Sequence, residues 1–323
     1  MLTDRETELR PQLREWRARV AAAVAEDGGH LAPLLKEIDS ALERLSRGNY
    51  GVCAVCHDMM NEAVAPDPLA RFCLSHLSAA EARALERDLD ALPGIQCELL
   101  PKRNITFDGW EMAYHYQPLG PVSGDLIDLQ IADGGGLFFL VGDVSGKGIA
   151  ASMLMVHLHA IFRSLLSVGL TTGEMVERAN QIFCASTLSA YFATLVCGRA
   201  DKSGMIEFVN AGHCPPLVLR CGELTTIATT GLPVGMFRDA KYTPQRLKLC
   251  PGDRLLLYTD GLTEARDARD AEYGAERLTR LVGEQTSFCS QSLIDACLDD
   301  LKLFQAGAHS HDDLTIMTLR RLT

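Results

Sequence analysis

Long hydrophobic runs are missing from this sequence. No stretch stays apolar for the roughly 18 to 20 residues that a membrane-spanning helix needs. The opening residues, MLTDRETELR, are too polar for a secretory signal peptide. There is also no internal repeat and no low-complexity segment. We therefore expect a cytoplasmic protein without a membrane span.

Basic residues are in short supply, with 31 Lys and Arg against 42 Asp and Glu and a formal charge of −11. An acidic surface repels polyanions, so nucleic-acid binding is disfavoured. The 11 cysteines are an odd count for a reducing compartment, so no disulfide framework is expected. A tight cysteine cluster is instead a candidate metal site.

The length and composition predict two globular domains. The 323 residues exceed the roughly 250 to 300 at which a single core stops growing. Between Leu13 and Leu45, apolar residues recur at steps of three and four, which predicts two helices separated at Gly28-Gly29. We expect these helices to form an antiparallel hairpin with its tip near Asp27.

A Cys-x-x-Cys pair and a Cys-x-x-His pair follow this hairpin. The four residues are Cys53, Cys56, Cys73 and His76. Thiolate and imidazole donors in two short chelating pairs are typical of a tetrahedral Zn(II) site. A unit this small buries little apolar surface, so one structural zinc ion is expected to stabilise a first domain over residues 1–77.

A single linker helix is predicted over residues 78–94. Ser78 and Glu81 form a capping box at its start, and Pro93-Gly94 is expected to end it. An apolar stripe at steps of three and four consists of Ala82, Leu85, Leu89 and Leu92. The stripe fits either a coiled coil with a second copy of the chain, giving a homodimer, or packing on the chain's own hairpin.

Beyond this helix, short β-branched or alternating runs predict strands, and pairs of helices separate them. The predicted strands are Leu126–Ile131, Leu137–Val141, Phe192–Cys197, Leu217–Leu219, Arg254–Thr259 and Leu314–Leu319. The predicted helices are Ile149–Ser167, Thr172–Leu188, Ala275–Gly283 and Ser290–Ala306. Runs of strands interrupted by paired helices favour an α+β layered sandwich over a strictly alternating fold.

Carboxylates stand at the ends of these strands, beside small or turn-forming residues. They are Asp125, Asp143, Asp260, Asp312 and Asp313. Aspartates are common in turns for purely structural reasons. Several oxygen ligands at neighbouring strand ends, however, suit hard divalent cations that could activate water for attack on a phosphoryl group.

The sequence contexts of these aspartates resemble the SpoIIE-like, RsbU-like branch of the PPM metal-dependent serine/threonine phosphatases, over residues 95–323. Six ordered motifs carry the resemblance: SGDLID at 123–128, GDVSGKG at 142–148, NAGH at 210–213, GLPVG at 231–235, YTDGLTEA at 258–265 and DDLT at 312–315. The resemblance implies two stacked antiparallel sheets flanked by helices, an αββα sandwich with metals at one edge.

The same resemblance implies roles for individual residues. Asp143 would bridge two Mn(II) or Mg(II) ions, with the Val144 carbonyl as an added ligand. Asp125, Asp260 and Asp312 would complete the catalytic metal site. Asp313, beside the last of these, would also lie at the metals.

Some positions depart from the family pattern. Ser123 stands where Gly is usual, and Ser145 occupies the position at which eukaryotic-type relatives carry a His, so no general acid is assigned. Lys147 is expected at a helix start and His213 in a loop-shaping motif. The glycine-rich segment lacks the Gly-Lys-Ser/Thr of a nucleotide-binding P-loop, which we therefore reject.

The cysteine-containing segment, over about residues 30–90, resembles the zinc finger of DksA/TraR proteins through ALERLSRGNYGVCAVC, Pro68 and Cys73. Here the fourth ligand is His76, where Cys is commoner, and the hairpin lacks the acidic tip signature of DksA. Acidic residues also outnumber basic ones up to Asp90. A protein-facing or sensory role is therefore favoured over nucleic-acid recognition.

The resemblance implies a phosphatase for phosphoserine or phosphothreonine, acting on an anti-anti-sigma (STAS-domain) protein in a bacterial partner-switching pathway. The N-terminal zinc-finger module would control it. The alternative is a catalytically weak signalling scaffold that binds its partner through the same domain and contacts the transcription machinery through the finger.

Overall fold

The computed structural model describes residues 2–26, 31–60, 68–76, 79–131, 136–187, 190–220, 223–284, 289–308 and 310–323. The chain divides into two compact units, Met1–Asp88 and Leu89–Thr323. This division lies inside the predicted linker helix. The finer division at residues 77 and 94 stays a prediction.

The first unit contains the predicted pair of helices. They are α1 (Leu2–Glu26) and α2 (Ala32–Ser46), and they pack through buried Leu13, Ile38 and Leu45. Burial of one apolar stripe from each helix accounts for the pairing. The predicted turn at Gly28-Gly29 and the tip at Asp27 lie outside the described residues.

The linker helix, α3 (Ala79–Leu99), does not end at Pro93-Gly94 as predicted. The helix continues for five more residues because its last turns are held by a tertiary contact. The buried side chain of Gln96 donates to the Ser123 carbonyl at 2.9 Å and accepts from the Ser123 N–H at 3.0 Å. Such contacts override local helix propensity. Ser78 and the side chain of Glu81 lie outside the described residues, so the capping box stays a prediction.

The second unit contains the remaining elements. In chain order they are β1 (Asn104–Phe107), β2 (Trp110–Gln117), β3 (Asp125–Ile131), β4 (Leu137–Val144), α4 (Gly148–Leu165), α5 (Thr172–Ser186), β5 (Ala193–Ala200), β6 (Met205–Ala211), β7 (Leu217–Arg220), β8 (Glu223–Thr226), β9 (Gln245–Lys248), β10 (Arg254–Tyr258), α6 (Asp260–Thr263), α7 (Ala275–Glu284), α8 (Ser290–Gln305) and β11 (Leu314–Arg321). Two sheets result, with strand orders β1-β2-β11-β10-β7-β8 and β3-β4-β5-β6-β9.

All pairings between these strands are antiparallel. The two sheets face each other across a core that includes Trp110, Phe139 and Met317. Helices α4 and α5 cover the outer face of the five-stranded sheet, and α7 and α8 cover that of the six-stranded sheet. The predicted αββα sandwich is therefore confirmed.

Helix α4 is long and apolar enough, by composition alone, to cross a membrane. Its Leu158 and Phe162 are fully buried among residues of α5 and the five-stranded sheet. A core helix that packs on a sheet and a second helix is apolar for this reason.

Candidate active site

Two of the predicted metal ligands face each other across neighbouring strands. Asp125 at the start of β3 pairs directly with Asp143 near the end of β4. Side chains alternate along a strand, and Ile127 and Val141, two residues further along, belong to the core between the sheets. Both carboxylates therefore lie on the inner face of the five-stranded sheet, at one of its ends.

The other two predicted ligands come from the six-stranded sheet. Asp260 follows β10 and Asp312 precedes β11, and these strands pair antiparallel with Tyr258 opposite Ile316. The turns approach so closely that a Cβ atom on Gly261 would lie 1.8 Å from the Asp313 carbonyl oxygen. Only a glycine permits this contact, and it brings the two turns to the same end of the sandwich.

The pKa values of three of these carboxylates are raised by burial and by the charges of the others. Burial and the negative charges of Asp260 and Asp312 raise the pKa of Asp143 to about 7. Burial and the charge of Asp143 raise the pKa of Asp125 well above its usual range. Burial and the charge of Asp312 likewise raise the pKa of Asp260. Carboxylates that destabilise one another in this way are suited to binding cations.

The aspartates do not form one tight cluster of ligand atoms. Among the described residues, the cysteine and histidine set is the one group of three or more whose ligand atoms all lie within 4.8 Å of one another. The carboxylate oxygens of the aspartates are therefore less tightly grouped than the ligand atoms of that set.

Two threonines orient Asp125, and the sequence analysis missed both. Thr259 and Thr315 donate hydrogen bonds to the Asp125 Oδ2 atom at 3.0 and 2.5 Å. Both are fully buried, and they stand inside the motifs that contain Asp260 and Asp312. The motifs were the available signal, but no periodicity connects residues more than 130 positions apart.

Asp313 differs from its neighbour Asp312. Its Oδ1 atom accepts the Leu119 N–H at 2.7 Å, and its Oδ2 atom accepts the Gly124 N–H at 2.9 Å. The side chain is thus engaged with the loop that precedes Asp125. Its predicted place at the metals stays a prediction.

Lys147 lies at the mouth of this acidic group. It is the N-cap residue of α4, as expected for a helix start, but its side chain makes no capping hydrogen bond. Its Nζ atom instead lies 2.7 Å from the Asp312 Oδ2 atom and 2.7 Å from the His311 carbonyl oxygen. The ammonium group therefore partly offsets the negative charge of the cleft.

Ser145 and His213 both make hydrogen bonds that shape nearby loops. The Ser145 hydroxyl accepts the Phe192 N–H at 3.0 Å, which shapes the loop after Asp143. His213 is buried, its backbone N–H donates to the Asn210 side chain, and its Nδ1 atom lies 2.9 Å from the Thr194 hydroxyl. These contacts agree with a loop-shaping role for His213, and no general acid is assigned.

Asp128, the second carboxylate of the SGDLID motif, does not join the four. It is fully buried, and both its oxygens accept hydrogen bonds from Arg163 of α4, at 2.5 and 2.8 Å. The side chain anchors α4 on β3 and belongs to the scaffold.

The predicted zinc ligands lie together in the first unit. The Cys73 Sγ atom is 3.0 Å from the His76 Nδ1 atom, Cys53 Sγ is 3.7 Å from the same nitrogen, and Cys56 Sγ is 3.9 Å from Cys73 Sγ. A tetrahedral zinc with Zn–S bonds of about 2.3 Å holds its ligand atoms about 3.8 Å apart. The donor set and its spacing therefore fit one zinc ion.

Local backbone structure holds the first two of these cysteines. The Cys53 N–H donates to the Asp58 carbonyl at 2.9 Å, and the Met60 N–H donates to the Gly51 carbonyl at 2.8 Å. The N–H of Cys73, donated to the sulfur, is the largest cause that lowers the pKa of Cys53 to about 6, whereas burial and the thiols of Cys53 and Cys73 raise the pKa of Cys56 to about 11. A thiolate at neutral pH is the form that binds zinc.

The two-sheet sandwich is the fold of PP2C-type phosphatases. The SiaA-PP2C domain of Pseudomonas aeruginosa superposes with a TM-score of 0.65 at 20% identity, over 75% of this chain and 98% of that one. The structure of RsbX in complex with magnesium superposes with a TM-score of 0.52 at 15% identity, over 68% of this chain and 98% of that one.

The family model described as stage II sporulation protein E (SpoIIE) matches residues 133–322, more than half of the chain. The chain therefore belongs to the SpoIIE family, as the motifs predicted. The protein IcfG of Synechocystis is 29% identical over 260 residues, which are 70% of this chain and 40% of IcfG. The phosphoserine phosphatase RsbU of Bacillus subtilis is 26% identical over 241 residues, 73% of this chain and 71% of RsbU. The chain thus spans less than half of the length of IcfG.

The resemblance of the first unit to DksA/TraR zinc fingers is supported by the cysteine and histidine cluster alone.

Proposed function

We propose that the protein is a metal-dependent protein serine/threonine phosphatase. The observation that carries this proposal is that Asp125 and Asp143 from one sheet and Asp260 and Asp312 from the other lie at one end of the sandwich. Burial and neighbouring negative charges raise the pKa values of Asp125, Asp143 and Asp260 there. The name of the relative RsbU, a phosphoserine phosphatase, supports the same activity.

The cleft fits two divalent cations. Asp143 would lie between them, and Asp125, Asp260, Asp312 and the Val144 carbonyl would supply the other protein ligands. Bound there, Mn(II) or Mg(II) would supply Lewis-acid activation of a water molecule and of the phosphoryl group. The magnesium complex of RsbX, which has the same fold, is consistent with this metal class.

The protein's own residues prepare the cleft. Thr259 and Thr315 orient the Asp125 carboxylate, which removes a rotational freedom that a single aspartate would otherwise retain. Lys147 holds a positive charge at the mouth of the cleft, where a phosphoryl group with two negative charges would enter.

The proposed substrate is a serine- or threonine-phosphorylated anti-anti-sigma protein of the STAS class, in the cytoplasm. The zinc-finger module, with its structural zinc at Cys53, Cys56, Cys73 and His76, is proposed to control activity through α3, and a homodimer through α3 is part of this proposal. A weakly catalytic scaffold is the alternative, and the intact set of four carboxylates favours the enzyme.

Replacement of Asp143 tests the activity. Asp143→Asn keeps the shape of the side chain but removes the charge that two cations would share, so turnover of p-nitrophenyl phosphate and of a phosphoprotein with Mn(II) should fall by at least 100-fold. Circular dichroism should be unchanged. Asp299→Asn, at an exposed position of α8, makes the same change of charge and should leave turnover unchanged. Turnover of Asp143→Asn within about threefold of wild type would exclude the proposed site, because metal activation supplies several kcal/mol.

A further inference from the structure

A short segment after β8 exposes three large apolar side chains. Leu232, Met236 and Phe237 are 52%, 45% and 61% exposed, and they lie within six consecutive residues. Single exposed apolar residues are common on protein surfaces, but such a concentration is typical of an interaction site. Met and Phe are also among the residues enriched in protein interfaces. We call these three side chains the apolar rim.

A buried side chain holds the segment in one conformation. Asn180 of α5 is fully buried, and its Oδ1 atom accepts the Gly235 N–H at 2.8 Å. Its Nδ2 atom donates to the carbonyls of Phe237 and Arg238, at 2.8 and 3.1 Å. A buried amide with three hydrogen bonds to one turn specifies the conformation of that turn.

The segment is also paired with β5 and tightly packed. Val234 and Ala193 exchange two backbone hydrogen bonds, at 2.7 and 2.8 Å. Gly235 has a φ angle of +98°, and a Cβ atom there would lie 2.9 Å from the Tyr191 carbonyl oxygen. The backbone of the segment is therefore preformed, and little backbone entropy would be lost when a partner covers it.

The backbone of this segment lies close to the strand end that contains Asp143. Residue Ala193 pairs with Val234 on one side and with Val144 of β4 on the other. Two strand spacings, about 10 Å, therefore separate the backbone of the segment from the residue that follows Asp143. The N–H of Ser145 donates to the Phe192 carbonyl at 2.9 Å, which joins the catalytic loop to the same stretch of chain.

We propose that the apolar rim is a docking surface for the folded phosphoprotein substrate. The inference rests on the proposed function and deepens it. A typical protein interface covers about 800 Å² on each partner, a patch about 30 Å across. A folded protein that delivers a phosphoserine to Asp143 would therefore extend over the rim. A small phosphate ester in the same cleft would not reach it.

The test compares two substrates. Met236→Ser with Phe237→Ser should lower kcat/KM for a serine-phosphorylated STAS-domain protein from the same genome by about tenfold or more, mainly through KM. Turnover of p-nitrophenyl phosphate should not change. Leu303→Ser, which removes an even more exposed apolar side chain from α8, is the control and should change neither value.

The dissociation constant of the same phosphoprotein, measured by calorimetry in an Asp143→Asn background, gives a readout that needs no turnover. Removal of the Met236 and Phe237 side chains should weaken this binding by about tenfold. Unchanged binding and unchanged kcat/KM would overturn the inference, as would an equal loss of activity on both substrates. A wild-type dimer that the rim substitutions dissociate, seen by light scattering, would instead identify a second copy as the occupant. If the wild-type protein hydrolysed neither substrate, the proposed function would be wrong. The binding measurement would then still show whether the phosphoprotein docks on the apolar rim.

Discussion

The Oδ2 atom of Asp313 lies 2.9 Å from the backbone nitrogen of Gly124, a residue 189 positions away in the sequence. This hydrogen bond joins the loop before Asp125 to the turn that contains Asp312. Two proposed metal ligands from different sheets are thereby held at a fixed separation. Hydrogen bonds to a charged acceptor contribute roughly 1.5 to 3 kcal/mol each, so this contact between the loop and the turn is a strong one.

Asp313→Asn is expected to weaken Mn(II) binding by about tenfold while both ions still bind at saturation. An amide can accept only one of the two N–H donors through its oxygen, and its NH₂ group would face the other donor. Titration calorimetry gives both the affinity and the number of ions. The loss of one whole ion would mean that Asp313 is itself a ligand, as the motif resemblance implied.

Cys53→Ser or Cys73→Ser should release the zinc and loosen the first unit, because the metal supplies much of the folding energy of so small a module. Elemental analysis of the purified protein should give close to one zinc per chain before the substitution and far less after it. Cys97→Ser, at an exposed cysteine of α3, serves as the control. Full zinc occupancy in both ligand variants would show that the four ligands are misassigned.

The buried His213 predicts a loss of stability in mild acid. Burial lowers its pKa to about 4 in the folded protein, against 6.5 for an exposed histidine. As the pH falls below about 6.5, the unfolded chain takes up a proton that the folded chain does not accept until about pH 4. Between pH 7 and pH 5 this linkage removes about 2 kcal/mol from the free energy of unfolding.

Urea unfolding at the two pH values measures this effect, and His213→Gln should reduce the difference by that amount. An equal difference in the variant and the wild type would mean that His213 is protonated in the folded state. The substitution retains a polar side chain of similar length, so the hydrogen bond with Thr194 can persist.

The stripe on α3 predicts a regulatory contact. Leu85 is 43% exposed, and Leu89 and Leu92 are half-buried, so this face of the helix retains apolar surface that a partner could cover. Leu85→Asp with Leu89→Asp should lower the mass in solution, by light scattering, and change the turnover of a phosphoprotein. Arg83→Asp with Arg87→Asp alters exposed positions outside the stripe and is the control. An unchanged mass and an unchanged rate would make α3 a passive spacer.

The sequence analysis predicted the strands that contain the site more reliably than the strands at the edges of the sheets. Strands β3, β4, β10 and β11 are rich in buried apolar residues, and their pattern was recognised. Strand β6 was missed although it lies inside its sheet and is mostly buried. Strands β1, β8 and β9 were missed as well. Each of these three has four residues, is mostly exposed and lies at the edge of a sheet, so its pattern contains little signal.

Strand β2 was missed for a different reason. Its segment WEMAYHYQ mixes polar and aromatic residues, because one face packs in the core and the other beneath α8. The end of α3 and the contacts of Gln96, Thr259 and Thr315 depend on partners far away in the sequence. No local pattern contains that information, whereas the aspartates could be predicted because they stand in short motifs.

Strand β11 lies in the middle of its sheet, between β2 and β10, although it is the last strand in chain order. During synthesis, the six-stranded sheet therefore cannot close until the ribosome has made this strand. Asp312 precedes it, so the full repulsion among the four carboxylates arises only after the other strands of the sandwich have been made. The complete acidic site and the complete six-stranded sheet therefore form together.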